Sequence, residues 1–352
     1  MRKVLLKILS GLIAALLLSW AIAAWTNCPG ISDLRDIWIE TAMTTGEHQW
    51  LATAFFPRSL IDQIMKRQVN EIDGIAGLKT TPIQIDSDVV WESAEEDIGD
   101  VLGQDLLTVG GDDGHGGIIL VNDIEQGIVI SEIHRASYVA KLAQISDPGR
   151  VVLAQTDQKG TRGKLICDYL SDENAILGVN ASGFLDYEGH GLGGQVIGRS
   201  LVENDFWGDY IPSQYTMGFT KNDRFIAGDI SDWAAYDLRC AIQSKPVIIK
   251  DGKDLMDGSG GWGLQPRTII AQRADGAVMF LVVDGRKPGY SLGATMGECA
   301  ELLLEYGAET AAACDGGSSS VMAWDGEIIN KPSTPMKTGR YLPNAFLVLR
   351  TD

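Results

Sequence analysis

The sequence predicts an α+β fold: a mixed or antiparallel β-sheet domain with flanking helices, preceded by one N-terminal transmembrane helix. Three observations carry that expectation. Short β-rich apolar runs outnumber helical stretches and do not alternate regularly with them, which disfavours a doubly wound sheet. Hydrophobic residues make up 45% of the 352-residue chain, ample for a packed core and too many for a disordered one. An uncharged apolar run at residues 8–25 follows a basic start, Met1-Arg2-Lys3-Val4-Leu5-Leu6-Lys7.

That run of 18 residues would span roughly 27 Å as a helix, about the core of a bilayer. Its basic residues lie on the N-terminal side, so the start of the chain is expected in the cytoplasm and the body outside it. Ala21-Ile22-Ala23 has the small-x-small form of a signal-peptidase site, which keeps a secreted product open. The length of the run and Trp25 at its end favour an uncleaved anchor.

Four segments follow: an anchor or signal at 1–28, a helical extension at 29–85, an acidic Gly-rich linker at 86–117, and the main domain at 118–352. In the extension, 33–43 and 47–68 read as helices, with Ser59 as an N-cap and Leu60, Ile61, Ile64 and Met65 at helical spacing. Trp38, Ile39, Met43, Trp50, Leu51 and Phe55 form an apolar face expected to pack on the main domain. The linker ends in Asp112, Asp113 and His115 among glycines. These lack the order of a calcium loop, so a solvated, flexible connection is expected there. Beyond it, 117–121, 127–133, 150–155, 176–179, 246–249, 268–272, 278–283 and 345–350 read as strands, and 161–170 and 296–307 as helices.

A net charge of −18 argues against nucleic acid as a partner. It also means that a bound phosphate must be held by local cations. The cysteines Cys28, Cys167, Cys240, Cys299 and Cys314 are odd in number and contain no C-x-x-C, so neither a zinc site nor a disulfide framework is indicated. Cys314 follows an apolar run and reads as an inert buried thiol.

The most informative segment is Cys314-Asp315-Gly316-Gly317-Ser318-Ser319-Ser320-Val321-Met322. Its glycines allow a sharp turn and a close approach, and its hydroxyls and N–H groups suit an anionic or sugar ligand. Asp315 stands just beyond an apolar run, and Asp284 stands likewise after 278–283. Strand-end aspartates serve either chemistry or turn capping. Around them lie Gly178-Val179-Asn180-Ala181-Ser182-Gly183-Phe184, Gln265-Pro266-Arg267-Thr268, Val282-Val283-Asp284-Gly285-Arg286, Ser291-Leu292-Gly293-Ala294-Thr295, Ile328-Ile329-Asn330-Lys331-Pro332 and Gly339-Arg340-Tyr341-Leu342-Pro343-Asn344.

In that order and spacing, over residues 127–350, these motifs resemble the phosphodiester glycosidase family. The resemblance implies an extracytoplasmic hydrolase of a glycosyl-1-phosphodiester in a surface polysaccharide or glycoconjugate. It implies Asp284, Asp315 and Arg286 as catalytic residues. Asn180, Arg267, Thr268, Gly316, Gly317, Ser318, Ser319 and Arg340 would bind substrate, and Trp262 offers a face on which a sugar ring can stack. No cofactor is implied, and no residue set has strong metal-ligand spacing. The segment Asn180-Ala181-Ser182-Gly183-Phe184 is one residue longer than the family's usual pattern, which puts that loop's geometry in doubt.

Such a reaction has its own requirements. When the anomeric C–O bond breaks, the departing phosphate is stable without protonation, so cations and N–H donors matter more than a general acid. A carboxylate must still activate water or trap the oxocarbenium ion. Arginine matches phosphate oxygens with a planar fork. Asp186, His190, Glu298 and His48 are lesser candidates. Two other readings remain at this stage. One is a non-hydrolytic assembly protein for anionic polysaccharides, as members described as exopolysaccharide-biosynthesis proteins imply. The other is a serine hydrolase, although no G-x-S-x-G elbow is present.

Overall fold

A computed structural model describes residues 11–75 (less 13, 17, 23, 24, 27, 46 and 47), 103, 107–186, 191–256 and 262–351. Within them every strand pair is antiparallel. The largest sheet has eight strands: β1 (Gly117–Asp123), β2 (Ile128–His134), β3 (Val139–Ile145), β14 (Val278–Val283), β13 (Arg267–Arg273), β15 (Ala308–Ala313), β11 (Val247–Lys250) and β12 (Lys253–Asp254), in that spatial order. A second sheet orders β7 (Asp205–Trp207), β6 (Ser200–Val202), β10 (Leu238–Ser244), β8 (Tyr215–Thr220) and β9 (Phe225–Gly228). The third orders β17 (Glu327–Ile328), β16 (Met322–Trp324), β5 (Ala175–Asn180), β18 (Asn344–Leu349) and β4 (Val151–Gln155). The α+β expectation with an antiparallel sheet therefore holds.

Strand β14 shows why the sheet is central. Val278, Phe280 and Val282 enter a core shared with Phe219, Phe225 and Phe346 from the other two sheets. Met279, Leu281 and Val283 face the opposite side, under the helix α5 (Met296–Glu305). Because side chains alternate along a strand, a strand covered on both faces reads as an unbroken apolar run. Helix α5 begins at a capping box: Glu298 N donates to Thr295 Oγ1 at 3.1 Å and Thr295 N to Glu298 Oε2 at 2.8 Å. Glu298 is thereby a cap and not a site residue. On the third sheet, α4 (Ile166–Asp172) covers the outer face with Ile166, Tyr169 and Leu170. It begins later than expected, since 163–165 leave the helix to pair Lys164 with Leu342.

Ten of the eighteen described strands were not expected from the sequence, and three of them show why. In β3, Lys141 and Gln144 break the apolar pattern, yet Lys141 is buried and paired with Glu132 on the neighbouring strand. Strand β8 carries Gly218, whose Cβ would meet the Cys240 carbonyl at 2.2 Å, and β10 carries Arg239 and Gln243.

The extension forms α1 (Ile31–Met43), α2 (Trp50–Thr53) and α3 (Arg58–Ile75). The stretch expected to be helical over 47–68 divides at Pro57, and the helix that Ser59 was expected to cap begins at Arg58, which puts Ser59 inside its first turn. Ile39, Ala42, Ala52, Ile61 and Ile64 make a small core of their own. Trp38, Trp50 and Phe55 do not pack on the main domain as expected; they are 52%, 57% and 45% exposed. Among the described residues no helix is long and apolar enough to cross a membrane, so the expected transmembrane helix finds no support here. Residues 1–10 and most of the expected linker lie outside the described residues. The linker's described end is exposed at Asp112, Gly114, His115 and Gly116, and Asp113 ties it down by accepting from His115 N at 3.0 Å, Gly117 N at 2.9 Å and Tyr306 Oη at 2.7 Å.

Candidate active site

Strand β15 delivers the Asp315 turn to the edge of the main core, and backbone bonds fix its course. Cys314 N donates to Thr268 O, Asp315 N to Ala181 O and Gly317 N to Pro266 O, each at 2.9 Å. The two glycines are required for different reasons. A Cβ on Gly316 would meet the Pro266 carbonyl oxygen at 2.8 Å, while Gly317 has φ +63°, where side chains are disfavoured. Beneath the turn, Asn180 Nδ2 donates to Asp315 O at 2.7 Å. Its Oδ1 accepts from Thr268 Oγ1 at 2.7 Å and Val321 N at 3.1 Å. Asn180 and Thr268, expected to bind substrate, are thus fully buried struts that carry the turn.

Above the turn lies a cavity of about 230 Å³. Its wall includes Asp315, Gly316, Lys245, Trp262, Arg267 and Gln214. Part of Asp315 reaches the surface, yet its carboxyl is enclosed by protein atoms, and burial pushes its pKa up to about 6. A hydrogen bond from Ser319 and the nearby charge of Arg340 oppose that shift, and the Asp186 charge adds to it. Trp262 Nε1 and Gln214 Oε1 are buried and have no protein partner, a donor and an acceptor in the wall of one cavity. Lys245 and Gln214 belong to no motif seen in the sequence. They arrive from the turn after β10 and the residue before β8, so only the packing of the second sheet against the first reveals them. A larger groove, about 420 Å³, runs between Asp157, Arg162, Lys164 and Tyr341. It holds neither motif carboxylate, and its Lys164 is already paired with Asp157 and Asp172.

The three motif arginines do different jobs. Arg267 donates through Nε to Ala294 O at 3.0 Å and through Nη2 to Trp262 O and Gly263 O at 3.0 and 2.8 Å. Burial lowers its pKa to about 10, so it stays charged at neutral pH while bracing the Trp262 loop. Arg340 forms an ion pair with Asp186, donates to Ser318 Oγ at 3.1 Å and to Gly191 O at 3.1 Å, and lies over the Phe184 ring at 4.7 Å. Arg286 is the exposed one. Its Nε and Nη2 both donate to Gln265 Oε1, at 2.9 and 2.7 Å, and Nη2 would sit 3.1 Å from a Cβ on Gly317.

Asp284 takes a bracing position. Its Oδ1 accepts from Asn330 Nδ2 at 3.0 Å and Lys331 N at 2.8 Å, and its Oδ2 accepts from Tyr290 Oη at 2.9 Å. Only 2% exposed, it is absent from the cavity wall, and burial raises its pKa against the pull of those bonds. The sequence placed Asp284 and Asp315 on equal terms; the structure gives the cavity to Asp315.

The serine-nucleophile reading gains nothing. Ser318 is engaged by Arg340 and Ser319 by Asp315. His48 is exposed on the extension, and His190 lies outside the described residues. Burial raises the Cys314 thiol well above its ordinary pKa, in keeping with an inert role. Among the described residues no group of three or more His, Cys, Asp or Glu side chains comes together as a metal site.

The described domain is antiparallel α+β, and its Gly-Gly-Ser turn sets the Asp315 carboxylate at the wall of a small cavity. The phosphodiester glycosidase family model matches residues 173–349, half of the chain. The chain belongs to that family. The SPbeta prophage-derived uncharacterized protein YomE of Bacillus subtilis (strain 168) is 26% identical over 186 residues, which is 49% of this chain and 28% of that protein. This chain thus spans little more than a quarter of that relative's length. Among solved structures, the catalytic domain of zebrafish N-acetylglucosamine-1-phosphodiester alpha-N-acetylglucosaminidase, auto-inhibited by its pro-peptide, superposes with a TM-score of 0.51 at 17% identity, covering 64% of this chain and 82% of that one. A hypothetical protein from Synechocystis gives 0.52 at 12% identity, covering 64% and 62%. At these identities the likeness establishes the fold.

Proposed function

We propose that the protein hydrolyses a glycosyl-1-phosphodiester linkage in a surface polysaccharide or glycoconjugate, outside the cytoplasm. One observation carries this reading: Asp315, the carboxylate of the Gly-Gly-Ser turn, shares the wall of a 230 Å³ cavity with Lys245. That volume lies below the roughly 300–1,000 Å³ of drug-sized pockets and suits one sugar unit. The linkage class is the one named for the zebrafish enzyme. An extracytoplasmic site is supported by the basic start and the apolar run at 8–25, in which Leu12, Leu16, Leu18 and Trp25 are exposed.

In this reading the sugar occupies the cavity and its phosphate lies along the Gly316–Gly317 turn beside Arg286. Water adds to the anomeric carbon as the C–O bond to phosphate breaks, and the bonding electrons leave on the phosphate oxygen. Asp315 accepts the proton that the water loses, and the proton then passes to solvent or the departing phosphate. Lys245 and Arg286 hold the phosphate's negative charge in the bound substrate and in the transition state alike. A base with a pKa near 6 is largely ionised at neutral pH and still basic enough to work.

The test incubates the full chain in detergent with a panel of sugar-1-phosphodiesters and follows free reducing sugar. Release by the wild type that is lost in Asp315→Asn, with the melting transition intact, is the expected result. No release from any substrate, with retained binding to a phosphate-rich glycan, would instead make it a non-hydrolytic assembly protein.

A further inference from the structure

We infer that Gln265 is a positioning residue through which the helical extension holds the Arg286 guanidinium against the Gly316–Gly317 turn. The consequence for turnover rests on the function proposed above; the geometric claim does not.

Gln265 is 4% exposed, so its amide must find partners within the protein. Its Nε2 donates to Thr41 O at 3.0 Å and Thr44 Oγ1 at 3.2 Å, both at the end of α1. Its Oε1 accepts from Arg286 Nε and Nη2. The orientation of the amide is forced from both sides: arginine has only donors, so the oxygen must face Arg286, and a backbone carbonyl must face the amide nitrogen. The backbone of Gln265 is itself clamped by a two-bond bridge with Ala294, at 3.2 and 3.1 Å.

Helix α1 sits hard on this segment. Leu264 N donates to Thr41 Oγ1 at 2.9 Å, and a Cβ on Gly263, at φ +61°, would come within 2.4 Å of Thr41 N. At the other end, Arg286 is a non-glycine residue at φ +58°, a conformation that persists only where surrounding contacts enforce it. Arg286 N bonds to Leu292 O at 3.1 Å, and the fork is drawn back onto Gln265 across the face of Gly317. A side chain as long as arginine otherwise spreads over many rotamers, and two bonds to one fixed oxygen select among them. Thr41 and Thr44 lie outside residues 173–349, so the extension contributes to a site that the family's matched region does not complete by itself.

The experiment compares full-length wild type with Gln265→Ala, Thr44→Val, Arg286→Ala and the double variant Gln265→Ala/Arg286→Ala. The first readout is the rate at which phenylglyoxal modifies Arg286, measured by peptide mass spectrometry, with Arg340 as internal reference. Release of the fork should raise the Arg286 rate several-fold in Gln265→Ala and to a smaller degree in Thr44→Val, with Arg340 unchanged. An unchanged Arg286 rate in both variants overturns the inference. If Gln265→Ala fails to fold, Thr44→Val, which removes one acceptor, decides alone. The second readout is sugar release: KM should rise about ten-fold in Gln265→Ala with kcat little changed. In the Arg286→Ala background the same change should add nothing. Fully additive effects would overturn the relay, because Gln265 would then act independently of Arg286. If the wild type releases no sugar, the proposed function fails while the modification rates still decide the positioning.

Discussion

Arg340 and Ser318, 22 residues apart, are joined by a hydrogen bond of 3.1 Å from Nη1 to Oγ. The same guanidinium pairs with Asp186 and reaches the Gly191 carbonyl, so one side chain ties three loops together beside Asp315. Its charge also helps to hold the Asp315 carboxyl below the pKa that burial alone would give.

Arg340→Ala should therefore injure both fold and site. It leaves Asp186 without that partner and strips the cover from Phe184, for a loss of about 2 kcal/mol. Arg340→Lys should recover part of the stability but little of the activity, because a single ammonium cannot span Asp186, Ser318 and Gly191 O as a fork does. Thermal melts and kcat/KM on the two variants separate these effects.

Asp315 makes a prediction about pH. Its folded pKa of about 6 exceeds the unfolded value, so the neutral acid is the form the fold prefers. The stability this brings is complete below about pH 4, where both states are protonated, and is lost as pH rises through about 6. Asp315→Asn, which mimics the neutral acid, should match the wild type near pH 4 and exceed it above pH 6. The gain should be roughly 2 kcal/mol after allowance for the part of the residue that meets solvent. Sugar release should be abolished in the same variant, and in the wild type it should fall as pH drops through about 6. Equal stability of the two proteins at pH 8 would refute the enclosed carboxyl.

Asp284 tests the distinction between bracing and chemistry. Asp284→Ala removes the acceptor of three donors, the buried Asn330 Nδ2 and the more accessible Lys331 N and Tyr290 Oη, and should cost about 2 kcal/mol. Asp284→Asn keeps an oxygen for Asn330 and Lys331 and offers its amide to a Tyr290 hydroxyl that can turn and accept. It should retain most stability and most activity. Loss of turnover in a stable Asp284→Asn would return this residue to the catalytic set.

How far the sequence reached can be judged from particular residues. Strands β13 and β14 were legible because both their faces are covered and their centres read as unbroken apolar runs, whereas β15 showed only as a short apolar run before Asp315. The Asp315 turn was legible because Gly316 and Gly317 answer to local geometry, one to a carbonyl oxygen and one to a positive φ. The roles within the motifs were not. Asn180 and Thr268 stand beside the site in sequence, yet their side-chain polar atoms are spent on the backbone and on each other, and direction is a tertiary property. Lys245 and Gln214 could not be read at all, because nothing local marks a residue that enters the site only when a second sheet packs beside it. The extension misled in the other direction. Its tryptophans read as a packing face, while its real hold on the domain is made by Thr41 and Thr44, two polar residues of a helix end.

The cavity itself offers a last prediction through Lys245. This residue lines the cavity with Asp315 but carries none of the bonds that shape the turn. Its removal in Lys245→Ala should leave the melting temperature within a degree or two, as expected for a partly exposed side chain with no buried partner to abandon. A cation that meets the substrate's phosphate contributes to ground-state and transition-state binding alike, so KM should rise, by about ten-fold, more than kcat falls. The effect should weaken with added salt, because Lys245 is not sealed from solvent and its field is screened. Steady-state kinetics at two ionic strengths on wild type and Lys245→Ala measure all three quantities. A kcat loss of several hundred-fold at unchanged KM would instead place Lys245 on the charge that forms only as the bond breaks.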